Sequence, residues 1–245
     1  MKFSVITVSY NSEDTIQKTM ESVLCQDVND IEYIVVDGKS TDRTVAVSEK
    51  MRLPMEKKGI ILRISSEKDE GIYDAMNKGI EMATGDVISF LNTGDVYEPG
   101  ALKKVKEIFE KEDCDYLFGS VRMRKANGTS FIKKARVRSF ETSRDWNHPT
   151  SFVKAKILKE NRFLNKGIHD DYGLYLHLKK LGIKIVTTDS VLAQFGMGGV
   201  SNAKGLKKSL GRIRDRYKYC YRVNGYSRFY IIECVAIELA KLILG

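Results

Sequence analysis

Apolar residues along the first part of the chain follow two alternating rhythms. Phe3 to Ser9, Ile31 to Val36, Ile60 to Ile64 and Val87 to Leu91 are short, nearly continuous apolar runs, the pattern of strands buried on both faces. Between them, apolar residues fall three and four positions apart. Ile16, Met20, Val23 and Leu24 share one helical face; Ile72, Ala75, Met76, Gly79, Ile80 and Ala83 share another. Ser12 precedes the first helical stretch and Ser40-Thr41-Asp42 opens the next, both offering capping chemistry. This strand–helix repetition predicts βαβ units with right-handed crossovers. The expected fold class is α/β, a mostly parallel central sheet flanked by helices.

The second part of the chain reads differently. Pro99 suits the first turn of a helix over 100–110, and Asn127-Gly128 predicts a hairpin between Tyr116 to Lys125 and Thr129 to Val137. Both arms carry Arg and Lys, so one hairpin face should be wet. Pro149 to Val153, Ile183 to Thr188 and Val191 to Phe195 are further strand candidates, and Asp170 to Leu181 is an amphipathic helix. Gly196 to Gly199 is glycine-rich and reads as a mobile loop. Gly205 to Arg222 is a basic helix interleaved with tyrosines. Tyr230 to Leu244 confines Glu233, Glu238 and Lys241 to less than half of a helix circumference, yet is too short and charged to span a bilayer. The expected organisation is a domain over 1–203, with halves 1–97 and 98–203, and a helical appendage over 204–245 separable from it.

Composition narrows the partners. The formal charge is +9, its excess gathered at the C-terminal end, which speaks for a surface patch attracting polyanions. Four cysteines (Cys25, Cys114, Cys220, Cys234) lack metal-ligand spacing and fit a reducing compartment. The opening MKFSVITVSYN turns polar too soon for a secretory leader. The first strand-to-helix turn, VSYNSED, has no glycine, which excludes GxGxxG dinucleotide binding, and no GxxxxGK[ST] loop occurs.

Candidate chemistry gathers around GDVISFLNTGD, Gly85 to Asp95, a buried run ending in a glycine turn and a carboxylate. Ahead of it lies SEKDEGIYDAMNKGIEMATGD. Together with VITVSYNSEDTIQKTMESVLCQ and YIVVDGKSTDRT, these motifs resemble the family 2 glycosyltransferases, most closely the branch that assembles bacterial surface polysaccharides. The resemblance is dense over the first hundred or so residues and sparse beyond. It implies the GT-A fold and inverting transfer of a hexose or N-acetylhexosamine from a nucleotide-sugar donor, with UDP expected, to a saccharide acceptor, expected to be lipid-linked.

On that resemblance Val8, Ser9 and Tyr10 surround the base, with Asp37 and Asp69 nearby. Asn77 and Lys78 face the phosphates, and Asn92, Thr93 and Gly94 line the donor. Asp95 is the ligand for Mg²⁺ or Mn²⁺. The usual Asp-x-Asp-Asp reads Asn92-Thr93-Gly94-Asp95 here, leaving one carboxylate for the metal. The Asp-Asp common after the second strand reads Asp37-Gly38. Lys78 reads equally as a solvated helix residue and Asp69 as a helix-dipole carboxylate. Asp171 is assigned the catalytic base and Asp170 the helix cap on the acceptor side. His148 is either acceptor-lining or structural. Gly198 to Ser201 resembles a loop that closes over the donor.

A cytoplasmic protein, peripheral on the inner face of the membrane through 204–245, follows from that patch and from a lipid-linked acceptor. The competing reading is a non-catalytic module for anionic lipid or nucleic acid on a degenerate fold. Clustered Asp37, Asp69, Asp95 and Asp171 speak against nucleic acid.

Overall fold

The computed structural model describes residues 1–125, 127–196 and 205–244. Four strands, β1 (Phe3–Ser9), β2 (Ile31–Asp37), β3 (Ile61–Ser66) and β4 (Val87–Phe90), run parallel in the order β3-β2-β1-β4. Their crossovers carry helices α1 (Ile16–Leu24), α2 (Thr44–Lys50), α3 (Arg52–Lys57) and α4 (Ile72–Met82). Every residue of β1 and β2 is buried. Ile6, Val8, Ile34, Val36 and Phe90 join one core cluster, whereas Phe3, Val5, Tyr33, Val35 and Leu91 join another across the sheet. Two buried faces explain why these strands read as unbroken apolar runs.

The remaining strands make the sheet mixed. β5 (Val96–Tyr97), β6 (Tyr116–Arg124), β7 (Ser130–Lys133), β8 (Ser151–Lys154) and β9 (Ile185–Gly196) extend it as β4-β8-β6-β9-β5, with β7 on β6. The sheet has nine strands among the described residues. The hairpin forms, although its second arm stops at Lys133. The two short strands expected after residue 182 fuse into β9, with register shifts at Gly119 and Ser120 of its parallel partner β6. Helices α5 (Ala101–Lys111), α6 (Ala155–Glu160) and α7 (Asp170–Lys180) complete the flanks. The first helix starts at Ile16, not at Ser12: the Ser12 carbonyl, not its side chain, receives the Thr15 and Ile16 amides.

The C-terminal appendage comprises α8 (Leu206–Asp215), a wider π-helical segment (Arg216–Arg222) and α9 (Tyr230–Leu244). It is anchored in the domain. Cys220, Tyr221 and Cys234 lie in the same core cluster as Tyr172 and Tyr175 of α7. Arg212 and Arg216 are buried, and both face Glu238, at 2.7 and 3.6 Å. Two of the arginines expected to meet a membrane are therefore turned inward. The segment thus contributes side chains to the domain core. Among the described residues, no helix is long and apolar enough to cross a membrane.

Candidate active site

Parallel pairing sets the C-terminal ends of β1, β2, β3 and β4 along one sheet edge, the edge at which open α/β sheets bind ligands. At the end of β2, Asp37 is wholly enclosed. Its carboxylate accepts hydrogen bonds from Ser9 Oγ (3.2 Å), Ser66 Oγ (2.7 Å), and both the amide and hydroxyl of Ser40. About four acceptor sites are thus filled by its neighbours. Asp37 braces the ends of three strands rather than presenting itself to a base. Of Val8, Ser9 and Tyr10, only Tyr10 faces solvent, at 63% exposure.

Asp69 stands where the absent second acid of the Asp37-Gly38 pair would be. A Cβ on Gly38 would sit 2.5 Å from Asp69 Oδ2 and 3.4 Å from the Tyr10 ring. The missing side chain lets the Asp69 carboxylate move in beside Tyr10. Its other oxygen accepts the Gly71 amide at 2.9 Å.

Asn77 and Lys78 are occupied otherwise. Both ends of the Asn77 amide bond the backbone of Phe163, at 3.0 Å each. Lys78 Nζ donates to the Lys68 carbonyl at 2.9 Å and pairs with Asp74 and Glu67. The structure gives the two residues these scaffold contacts.

The turn after β4 is held by a residue the sequence reading passed over. Thr19 Oγ1 on α1 accepts the Gly94 amide (3.0 Å) and donates to the Asp95 carbonyl (2.9 Å). Gly94 adopts φ +92°, which a side chain would resist. Thr93 Oγ1 donates to Ser12 Oγ, and the Asp95 amide closes the turn on the Asn92 carbonyl. Asn92 Oδ1 is buried without a partner among the described residues. Asp95 is 5% exposed. Burial pushes its carboxyl up to about 8, opposed only by the Gly196 backbone amide.

No group of three or more His, Cys, Asp or Glu is arranged to hold a metal among the described residues. Asp95 and Asn92 nevertheless offer hard oxygen donors of the kind Mg²⁺ and Mn²⁺ take. Such an ion would complete its shell from substrate phosphates and water. The residues present fit the group.

A second constellation lies beyond Phe90. The His148 ring stacks on the Phe90 ring, with centroids 5.9 Å apart, and its Nδ1 lies 3.4 Å from Asp171 Oδ2. Asp171 Oδ1 accepts the Tyr73 hydroxyl (3.1 Å) and the Tyr172 amide (2.8 Å). Burial lowers the pKa of His148 against the pull of Asp171, so the ring is neutral, and its buried Nε2 has no partner among the described residues. Tyr73 lies outside the helical face that the sequence pattern picks out. Asp170 does not cap α7; it accepts the Lys166 and Gly167 amides and shapes the preceding loop. The N-cap position falls on His169, whose Nε2 meets Arg216 at 2.9 Å. Gly198 to Ser201 lie outside the described residues.

The chain is similar to known proteins in both sequence and fold. Residues 4–172 fit the sequence profile of Glycosyl transferase family 2. The chain belongs to this family. A PGL/p-HBAD biosynthesis glycosyltransferase of Mycobacterium bovis is 35% identical over 127 residues, 51% of this chain and 48% of that protein. The chain thus spans about half the length of the curated relatives it matches. Among solved structures, Staphylococcus aureus TarS in complex with UDP-GlcNAc superposes with TM-score 0.67 at 21% identity, covering 98% of this chain and 72% of TarS. The mannosyltransferase PcManGT from Pyrobaculum calidifontis, with GDP-Man and Mn²⁺, gives TM-score 0.67 at 15% identity, covering 97% and 69%. The fold is that of the GT-A glycosyltransferases.

Proposed function

We propose that this family member transfers a hexose or N-acetylhexosamine, with inversion, from a UDP-sugar to a saccharide linked to a lipid. Asp95 carries the reading: an enclosed carboxylate with no cationic side chain beside it among the described residues calls for a cation brought by the substrate. A divalent ion such as Mg²⁺ or Mn²⁺, when bound, neutralises charge on the leaving diphosphate. Tyr10 and Asp69 frame the base. Asp171 takes the proton of the acceptor hydroxyl as that oxygen bonds the anomeric carbon and the bond to the diphosphate breaks. The electron pair leaves with UDP. His148 holds Asp171 from one side and Tyr73 from the other, fixing the carboxylate for proton transfer. TarS with UDP-GlcNAc supports the choice of nucleotide.

Location follows from α9. Glu233 and Glu238 are buried against the domain, while Phe229 (73% exposed), Ile232 (66%), Val235 and Leu239 face outward. Lys207, Lys208, Arg214, Lys218, Arg222 and Arg228 of the same C-terminal segment are exposed. An outward apolar stripe in a segment with many exposed cations suits an anionic bilayer surface, here the inner face of the cytoplasmic membrane. Calorimetric titration with UDP-GlcNAc, UDP-glucose and GDP-mannose, each with and without Mn²⁺, tests the donor reading. A UDP-sugar should bind, and bind tighter with Mn²⁺. Failure of every nucleotide under both conditions sinks it.

A further inference from the structure

The strand that leaves β7 and the loop that enters His148 enclose a surface cavity of about 520 Å³, and its lining is cationic. Lys134, Arg136, Arg138 and Arg144 converge on it, with Thr142 and the single acid Asp145. Asp145 is already engaged by Arg138, Nε to Oδ2 at 2.9 Å. Lys134, Arg136 and Arg144 have no side-chain hydrogen bond or ion pair among the described residues. The walls are fixed from behind. The Arg136 amide donates to the Asp145 carbonyl (2.9 Å), and Lys133 Nζ bridges the carbonyls of Ser143 and Trp146.

Position adds to charge. The back wall at Asp145 runs within three residues into His148, beside Asp171. Exposed Ile132 lines the cavity, exposed Val137 and Phe140 lie on the same segment as its arginines, and the Phe140 ring stacks on Tyr230 at the start of α9, centroids 5.1 Å apart. The cationic pocket is thus tied through Phe140 to the start of α9 and through its back wall to the segment that carries His148 beside the acceptor-side carboxylate. Those chemistries match an amphiphile with an apolar tail, a phosphate or diphosphate link and a sugar head. Guanidinium groups recognise phosphate oxygens in bidentate fashion.

We infer that the Lys134–Arg136–Arg138–Arg144 cavity binds the phosphate or diphosphate that links the acceptor sugar to its lipid. The inference rests on the lipid-linked acceptor proposed above. Solvated hairpin charges with no ligand, or cations that read only bilayer headgroups, are the competing outcomes.

The test compares the full chain with an Arg136→Gln/Arg144→Gln variant. Both side chains are exposed, so the fold should hold, and neither touches the donor crevice. With UDP and Mn²⁺ saturating, farnesyl diphosphate should bind the wild type and bind the variant about tenfold or more weakly, the loss expected for charge-assisted bonds. UDP affinity should be equal in the two. Equal farnesyl diphosphate affinity, or none in either protein, overturns the inference. It is overturned too if only sedimentation with phosphatidylglycerol vesicles responds to the substitutions, since the cations then read the membrane. The UDP arm reads the transferase proposal separately: a wild type that binds no UDP sinks that proposal, whatever farnesyl diphosphate does.

Discussion

Asp95 is the residue whose surroundings folding alone explains least. A carboxylate placed in a dry site costs stability when charged, and here one backbone amide is its only relief among the described residues. Its folded pKa, about 8, stands above the ordinary aspartate value. The folded state therefore holds the proton more tightly than the unfolded chain. Stability linked to Asp95 is full at acid pH and is lost as pH rises toward 8. Without metal or nucleotide, Asp95→Asn should thus match the wild type near pH 4 and exceed it near pH 8. The gain in melting temperature should be about 2–4 °C per kcal/mol recovered, measured across a pH series. A variant less stable at pH 8 than at pH 4, relative to wild type, would contradict this. Asp69 makes a related point. Its approach to Tyr10 depends on the bare Cα of Gly38, a tertiary fact that no local motif announces. Asp37, by contrast, was legible as important while its task was not, because Ser40 and Ser66 reach it from other segments.

Among the elements, α9 shows what an amphipathic pattern leaves open. The pattern was clear in Tyr230 to Leu244, yet periodicity gives the faces of a helix and not their orientation. Here buried Arg212 and Arg216 draw Glu238 inward, so the apolar face turns out. Removing one partner of a buried ionic cluster leaves charge uncompensated, commonly at a cost of about 3 kcal/mol or more. Glu238→Gln should lower the melting temperature by about 6 °C or more for a chain of this size. Ile232→Glu, on the outward stripe, should leave the melt nearly unchanged and reduce sedimentation with anionic vesicles. An unaffected melt in Glu238→Gln would mean the cluster does not hold the helix. A loss of fold in Ile232→Glu would mean the stripe is covered.

For the whole molecule, legibility divides at β4. The parallel half could be read because β1, β2 and β4 are buried along their whole length and each crossover carries its own helices, so local pattern and final position agree. The other half is built from long-range pairings. β5 has two residues, β8 sits between β4 and β6, and β9 joins runs that look separate because its own Asp189 and Ser190 fall between the residues paired with Gly119 and Ser120 of β6. His148 and Asp171 meet only through those pairings, which is why Asp171 was assigned by motif and its bracing by Tyr73 was not foreseen. The central claim is that the two halves close one transferase crevice, with the donor at Asp95 and the proton acceptor at Asp171. The direct measurement is sugar transfer, or donor hydrolysis, by Asp171→Asn beside its affinity for UDP with Mn²⁺. The account predicts turnover lower by about 10²-fold or more at unchanged UDP affinity. Turnover equal to wild type would contradict it.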